Sequence, residues 1–305
     1  MLLDTNTRGV FVICATPFTE RGDIDFASAD TLVQFYLDAR VHGITILGMM
    51  GEAPKLTFDE STAFTRRVLE RVAGRVPVVV GVSNPGLAGL AQLARVALDE
   101  GAAAVLVAPM AGLRTDDQIL SYYATVCDAL GPDVPVIYQD YPQSTGVYLS
   151  AATYARLVEA LPQLVMLKAE DCPGLGKISA VREAEAGGLR RTSILIGNGG
   201  FYFPQALSRG ADGVMTGFAW PDMLVDVYER FASGDRDGAE NVFERYLPLM
   251  YYEQQPGYGL AVRKEILRRR GAIRSATLRK PGATLTRTDV EELDRLMARL
   301  ERRTE

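Results

Sequence analysis

Histidine is nearly absent from this chain: 305 residues contain one, His42. That count argues against a histidine-rich metal cluster and against a serine–histidine–aspartate triad. Cysteine is almost as scarce. Cys14, Cys127 and Cys172 are odd in number, widely spaced and in no Cys-x-x-Cys pair, so neither a disulfide framework nor a zinc site is indicated, and no metal or cofactor is expected. No run approaches ~18 consecutive apolar residues, and the opening Met1-Leu2-Leu3-Asp4-Thr5 lacks the basic-then-apolar pattern of a secretory signal. The expectation is a cytoplasmic protein with no membrane contact. Nucleic acid is not an expected partner either, because the formal net charge is −5 and the arginines are scattered apart from short clusters such as Arg268-Arg269-Arg270.

Lysine is the fourth scarcity and the most instructive. Of 33 basic residues only Lys55, Lys168, Lys177, Lys264 and Lys280 are lysines, and only Lys168 lies inside an apolar run, Leu164-Val165-Met166-Leu167-Lys168-Ala169-Glu170. Holding an amine away from water disfavours its ammonium form, and the neutral amine is a nucleophile that forms Schiff bases with carbonyl compounds. A snorkelling lysine, or one paired with Glu170 or Asp171, is the plainer reading of the same residue.

What the chain has in abundance is short Val- and Ile-rich runs between amphipathic stretches. They begin with Val10–Thr16, Ile44–Gly48, Val76–Gly81 and Ala103–Ala108, and continue with Val134–Tyr138, Leu164–Glu170, Ser193–Gly197 and Gly213–Gly217. Near-continuous apolar strands predict a sheet covered on both faces, and strand–helix alternation predicts parallel pairing. Eight such units predict an α/β fold, a (β/α)₈ TIM barrel with additional C-terminal helices. An open doubly wound sheet is the runner-up, but the turn after the first run reads Thr16-Pro17-Phe18-Thr19 rather than a glycine-rich phosphate fingerprint. Capping-box spacing at Thr57-x-x-Glu60 and Thr115-x-x-Gln118 marks two helix starts. Three further helical stretches, near 235–252, 258–270 and 288–302, follow the last strand, so the expected organisation is a barrel catalytic domain over 1–233 and a helical extension over 234–305.

In such barrels the site lies at the C-terminal ends of the strands. Those ends carry Thr16, the segment Gly48-Met49-Met50-Gly51-Glu52, Tyr138-Gln139-Asp140, Lys168, Gly197-Asn198-Gly199-Gly200 and Thr216-Gly217. Lys168 and Tyr138 are the expected catalytic pair, on neighbouring strands about 4.8 Å apart, with the phenol as proton carrier beside an imine. Glu52 and Asp140 are possible helpers. Thr16, Gly48, Met49, Met50, Gly51, Glu52, Asp140, Gly197, Asn198 and Met215 form the expected substrate-binding set.

Together these residues resemble the dihydrodipicolinate synthase and N-acetylneuraminate lyase family of Schiff-base-forming class I lyases. The likeness runs from Thr16-Pro17-Phe18 through Gly48-x-x-Gly51-Glu52, Tyr138 with Thr145-Gly146 downstream, and Lys168, to Gly210-Ala211-Asp212-Gly213-Val214 and the C-terminal helices. It implies a Lys168 imine with pyruvate or another 2-oxo acid, Tyr138 as acid/base, carboxylate binding around Met49 and Met50, and a homotetramer. The departures are specific. Met49 and Met50 stand where the family usually has two hydroxyl residues, so carboxylate contacts there would fall to backbone N–H groups. The loop after the fourth strand reads Pro109-Met110-Ala111-Gly112 without the synthase branch's relay tyrosine. Ser144 stands where that branch has an arginine, and one residue more than usual separates Tyr138 from Thr145.

These losses argue against condensation of pyruvate with aspartate semialdehyde, the 4-hydroxy-tetrahydrodipicolinate synthase reaction, which is kept as an alternative. Lys168-Ala169-Glu170-Asp171-Cys172-Pro173-Gly174 resembles members that act on 2-keto-3-deoxy sugar acids as dehydratases or aldolases. Two readings of another class compete: a phosphate-binding barrel cradling an anion with Gly197–Gly200 and Gly217, and a non-catalytic 2-oxo-acid sensor. The faint P-loop likeness of Gly174-Leu175-Gly176-Lys177-Ile178 fails at Ile178, where Ser or Thr belongs.

Overall fold

A computed structural model describes residues 2–304. The eight apolar runs form β1 (Gly9–Ile13), β2 (Gly43–Ile46), β3 (Val78–Gly81), β4 (Ala104–Val107), β5 (Val136–Asp140), β6 (Leu164–Ala169), β7 (Ser193–Ile196) and β8 (Gly213–Thr216). Each pairs in parallel with the next, and β8 pairs with β1 to close the barrel. Side chains alternate between two buried faces. Phe11, Ile13, Val79, Leu106, Ile137, Met166, Leu195 and Met215 fill the barrel interior, while Val10, Val12, Val105, Val107, Tyr138 and Leu167 pack outward under the helices. Burial on both sides explains why the strands read as unbroken apolar runs.

The helices start where local chemistry starts them. Both predicted capping boxes form, Thr57 with Glu60 and Thr115 with Gln118, at the heads of helices Phe58–Val72 and Asp116–Leu130. His42, the lone histidine, accepts the Val10 N–H through Nδ1 at 3.2 Å and stacks edge-on against Tyr228. After the eighth barrel helix, Pro221–Ala232, come helices Arg236–Glu253, Gly259–Arg269 and Arg287–Thr304. They are tied to the barrel by long-range contacts, including Lys264 to Glu52 at 2.6 Å and Arg270 to the Ala219 carbonyl at 2.6 Å. No helix among the described residues is long and apolar enough to cross a membrane.

One irregularity decides where the chemistry faces. Against β5, Val136 pairs with Leu164 but Ile137 pairs with Met166, so β6 carries one extra residue, Val165. Val165 and Met166 both belong to the interior cluster although they are consecutive. A strand without the bulge alternates strictly, and counting by twos from the outward Leu164 would turn Lys168 outward as well. The extra residue reverses the phase and aims Lys168 into the barrel.

Candidate active site

Lys168 is buried at the C-terminal end of β6, 3% exposed, with Nζ 2.9 Å from Oε2 of Glu170. The two side chains are two residues apart and project to one side of the sheet. Gln139 is the register partner of Lys168 on β5, and its Nε2 donates to the same Glu170 oxygen at 2.8 Å. The Asn198 amide donates to the Glu170 backbone carbonyl. Gly197 makes room for this arrangement: a Cβ there would lie 2.2 Å from Glu170 Cγ and 2.4 Å from Oε1. Lys168, Glu170, Gln139 and Asn198 line a narrow cavity of about 50 Å³, closed on its other sides by Ile13, Met49, Met50, Tyr141, Thr216 and Gly217, and by Gln254 and Arg263 from the C-terminal helices. A roomier cleft of about 590 Å³ on the flank, lined by Leu87, Met110, Leu113 and Tyr122, contains no lysine and no candidate residue.

The expected pairing of Lys168 with Tyr138 is corrected by the register. Tyr138 is opposite Leu167, not Lys168, and both belong to the outward face. Its ring stacks on Tyr123 at 4.5 Å and meets Tyr154 edge-on at 6.4 Å, and its buried hydroxyl has no hydrogen-bond partner among the described residues. Burial pushes this phenol far above its ordinary range. The extra residue between Tyr138 and Thr145 is the sequence trace of this shift: the family's usual spacing, counted back from Thr145, ends on Gln139.

Three expected binding residues also lie elsewhere. Both oxygens of Glu52 are taken, Oε1 by Lys264 at 2.6 Å and Oε2 by Lys55 at 2.8 Å and the Arg279 N–H at 3.1 Å, so it cements the rim to the extension. Asp140 faces away from the cavity and accepts from Lys177 at 2.6 Å. Its pKa is nonetheless raised to about 6, because burial outweighs the neighbouring ammonium. Met215 belongs to the barrel's interior packing, and the cavity wall at β8 is Thr216 and Gly217.

Thr16 acts at one remove: its hydroxyl donates to the Gly51 carbonyl at 2.6 Å and braces the turn that carries Met49 and Met50. In that turn Gly48 accepts from the Gly51 N–H at 2.9 Å and Met49 from the Glu52 N–H at 3.0 Å, which leaves the Met49 and Met50 amides as the rim's backbone donors. The glycine cradle after β7 is occupied. The Gly200 N–H is bound to the Gly197 carbonyl at 2.9 Å, a Cβ on Gly199 would lie 2.7 Å from Gln254 Oε1, and one on Gly217 would lie 2.3 Å from Arg263 Nη1. A phosphate cradle there is therefore not favoured.

Residues missed in the sequence divide by cause. Glu170 lies two residues after the lysine and Gln139 directly follows Tyr138, and both needed only the strand phase to be found. Tyr141 follows β5 and lines the cavity; burial raises its phenol, and Glu170 adds to the effect. Gln254 and Arg263 arrive from helices that no strand-end count reaches. The cavity wall thus joins residues from both the barrel and the extension. What it assembles is an amine, a carboxylate in direct contact with it, and a second cation.

A family model, the dihydrodipicolinate synthetase family, matches residues 6–300. L-2-keto-3-deoxyarabonate dehydratase of Azospirillum brasilense is 33% identical over 278 residues, covering 90% of this chain and 88% of that protein. The 4-hydroxy-tetrahydrodipicolinate synthase of Sorangium cellulosum is 31% identical over 304 residues, covering 97% of each. The crystal structure of dihydrodipicolinate synthase from Rhodopseudomonas palustris superposes with a TM-score of 0.96 at 46% identity, covering 98% of this chain and 99% of that one.

Proposed function

The chain belongs to the dihydrodipicolinate synthetase family and is a lyase, and on that premise we propose that it dehydrates a 2-keto-3-deoxy sugar acid through an imine on Lys168, with Glu170 as the proton carrier. The observation that carries this reading is the 2.9 Å contact between Lys168 Nζ and Glu170 Oε2 on the inward face, where Gln139 stands in place of a tyrosine. A carboxylate in contact with an ammonium can accept its proton as substrate enters and release a free amine. The amine attacks the C2 carbonyl. Glu170 returns the proton to the carbinolamine oxygen and water leaves, giving an iminium.

The iminium withdraws electrons from C3, so the C3–H proton passes to Glu170 and an enamine forms. The enamine electrons return through C3 and expel the C4 hydroxyl, which takes the proton from Glu170 and departs as water. Hydrolysis of the unsaturated imine consumes one water and restores Lys168, so the net change is loss of one water from the substrate. The Met49 and Met50 amides, free of partners in their turn, would donate to the C1 carboxylate. Gln139 holds Glu170 toward the amine. Its dehydratase relative, and the loss of the synthase branch's arginine and relay tyrosine, favour dehydration over condensation. A homotetramer, implied by the family likeness, and the cytoplasmic location expected above complete the reading; sedimentation velocity tests the first.

Borohydride trapping with pyruvate should add its three carbons to the peptide bearing Lys168. L-2-keto-3-deoxyarabonate should lose water without releasing pyruvate. Release of pyruvate would make the enzyme an aldolase, turnover of pyruvate with aspartate semialdehyde would restore the synthase reading, and an unlabelled Lys168 under conditions that label a control lyase would leave the imine unsupported.

A further inference from the structure

The imine chemistry leaves one charged group of the cavity unused. Arg263, on helix Gly259–Arg269, is 2% exposed. Its Nε donates to Glu253 Oε1 at 2.5 Å, and Glu253 is itself held by the Ala219 N–H through Oε2 at 3.2 Å, so one edge of the guanidinium is fixed. The other edge is open. Nη1 is buried and has no acceptor among the described residues.

Its place follows from Gly217. A Cβ on that glycine would be 2.3 Å from Nη1 and 3.0 Å from the Ile13 carbonyl, so the free N–H groups lie over the ends of β8 and β1. The neighbouring strand is β2, whose end carries Met49 and Met50. A buried donor without a partner is uncommon in folded proteins, and a charged one is costlier still. Lys168 with Glu170, and Arg263 with Glu253, are each balanced pairs. The cavity therefore offers an unpartnered N–H donor, Arg263 Nη1, on a guanidinium whose other edge Glu253 already holds.

Resting on the imine reading above, we propose that Arg263 Nη1 binds the C1 carboxylate of the 2-oxo acid and takes over the anchoring that two hydroxyl residues at positions 49 and 50 would otherwise give. A guanidinium presents a charge-assisted donor to a planar carboxylate, which a methionine side chain cannot do. Gly217 is then glycine because the guanidinium needs the space. The substrate class narrows to 2-oxo acids with a free carboxylate. Esters, amides and simple ketones are discriminated against by Arg263 rather than by Lys168.

The test compares pyruvate with pyruvamide, which keeps the ketone and loses the charge, in borohydride trapping at Lys168. Wild-type protein should trap pyruvate at far lower concentration than pyruvamide. Arg263→Met should raise the half-saturating pyruvate concentration by roughly 30- to 100-fold and leave pyruvamide unchanged, so the preference collapses. Because Arg263→Met strands a buried Glu253, the double variant Glu253→Gln/Arg263→Met, which removes both charges, and Arg263→Lys, which keeps one, carry the same measurement if the single variant does not fold. Arg263→Lys should restore part of the preference. A folded double variant that keeps the wild-type preference for pyruvate overturns the proposal. If wild-type protein traps neither compound, the imine reading has failed and the anchor is judged by calorimetric binding of pyruvate: loss of binding in the variants supports it, and equal binding, or none in the wild type, overturns it.

Discussion

Among the described residues two lysine–glutamate pairs are buried, and only one of them lines a cavity. Lys264 is 0% exposed. Its Nζ meets Glu52 at 2.6 Å and the Thr277 carbonyl at 2.9 Å, and lies 4.4 Å from the centre of the Phe18 ring. Glu52 in turn has both oxygens engaged. Burial lowers the Lys264 ammonium below its ordinary range, and Glu52 opposes the shift. Lys168 has Glu170 at 2.9 Å and then the cavity. A lysine chosen by burial alone would be Lys264. What separates the two is unspent valence next to open space: the sealed pair joins the rim to the extension, while the open pair has a proton it can move and a place for a carbonyl to arrive.

Replacing the lysine of each pair by methionine should separate the two most clearly. Lys168→Met should lower turnover by at least about 10³-fold with the fold retained, whereas Lys264→Met should lower the melting temperature by roughly 5–10 °C while the surviving native protein still traps pyruvate. Circular dichroism melts and trapping on the same preparations read both effects. Equal loss of stability in the two variants would erase the distinction. Within the open pair, Glu170→Gln should reduce kcat by about 10²- to 10⁴-fold, the range of a lost general acid/base, with the imine still forming slowly; a variant at near wild-type rate would move proton transfer to Tyr141.

A third pair, Lys177 with Asp140, differs from both in its pH dependence. Asp140's carboxyl titrates near 6 in the folded protein against an ordinary 3.8, so the folded state holds the proton more tightly than the unfolded chain. Its contribution favours folding as pH falls from about 6 toward 3.8, and the penalty is full above 6. Asp140→Asn should flatten that part of the stability curve, an effect of roughly 1–3 kcal/mol in urea denaturation between those limits. An unchanged slope would mean that Lys177 holds the carboxylate ionised throughout. The smallest effect belongs to Tyr138→Phe. Since the hydroxyl is outside the barrel and has no partner among the described residues, activity should stay within about threefold and stability should hold or rise slightly. A loss of activity comparable with Glu170→Gln would return the phenol to the machinery.

The barrel was legible because eight strands buried on both faces cannot avoid apolar runs, and because Thr57 and Thr115 advertise their helices. Lys168 was legible for the converse reason, as the one lysine in such a run. The facing of its neighbours was not. Tyr138 and Gln139 are adjacent letters, and which of them looks inward depends on the pairing of β5 with a strand that holds an extra residue at Val165. No pattern within β6 marks that bulge; its trace lies outside the strand, in the extra residue between Tyr138 and Thr145. Glu52 is conspicuous in the sequence beside Gly51, yet its partners Lys264 and Arg279 are more than two hundred positions away. Arg263 was hidden in the same manner, among many arginines on a helix that reads as solvated.

The C-terminal extension gives the site a history as well as a wall. A ribosome makes the chain from its N-terminus, so all eight strands, with Lys168 already among them, are complete before Gln254 and Arg263 exist. Any truncation upstream of residue 254 would remove Gln254 and Arg263 from the cavity wall and leave the buried Glu52 without Lys264.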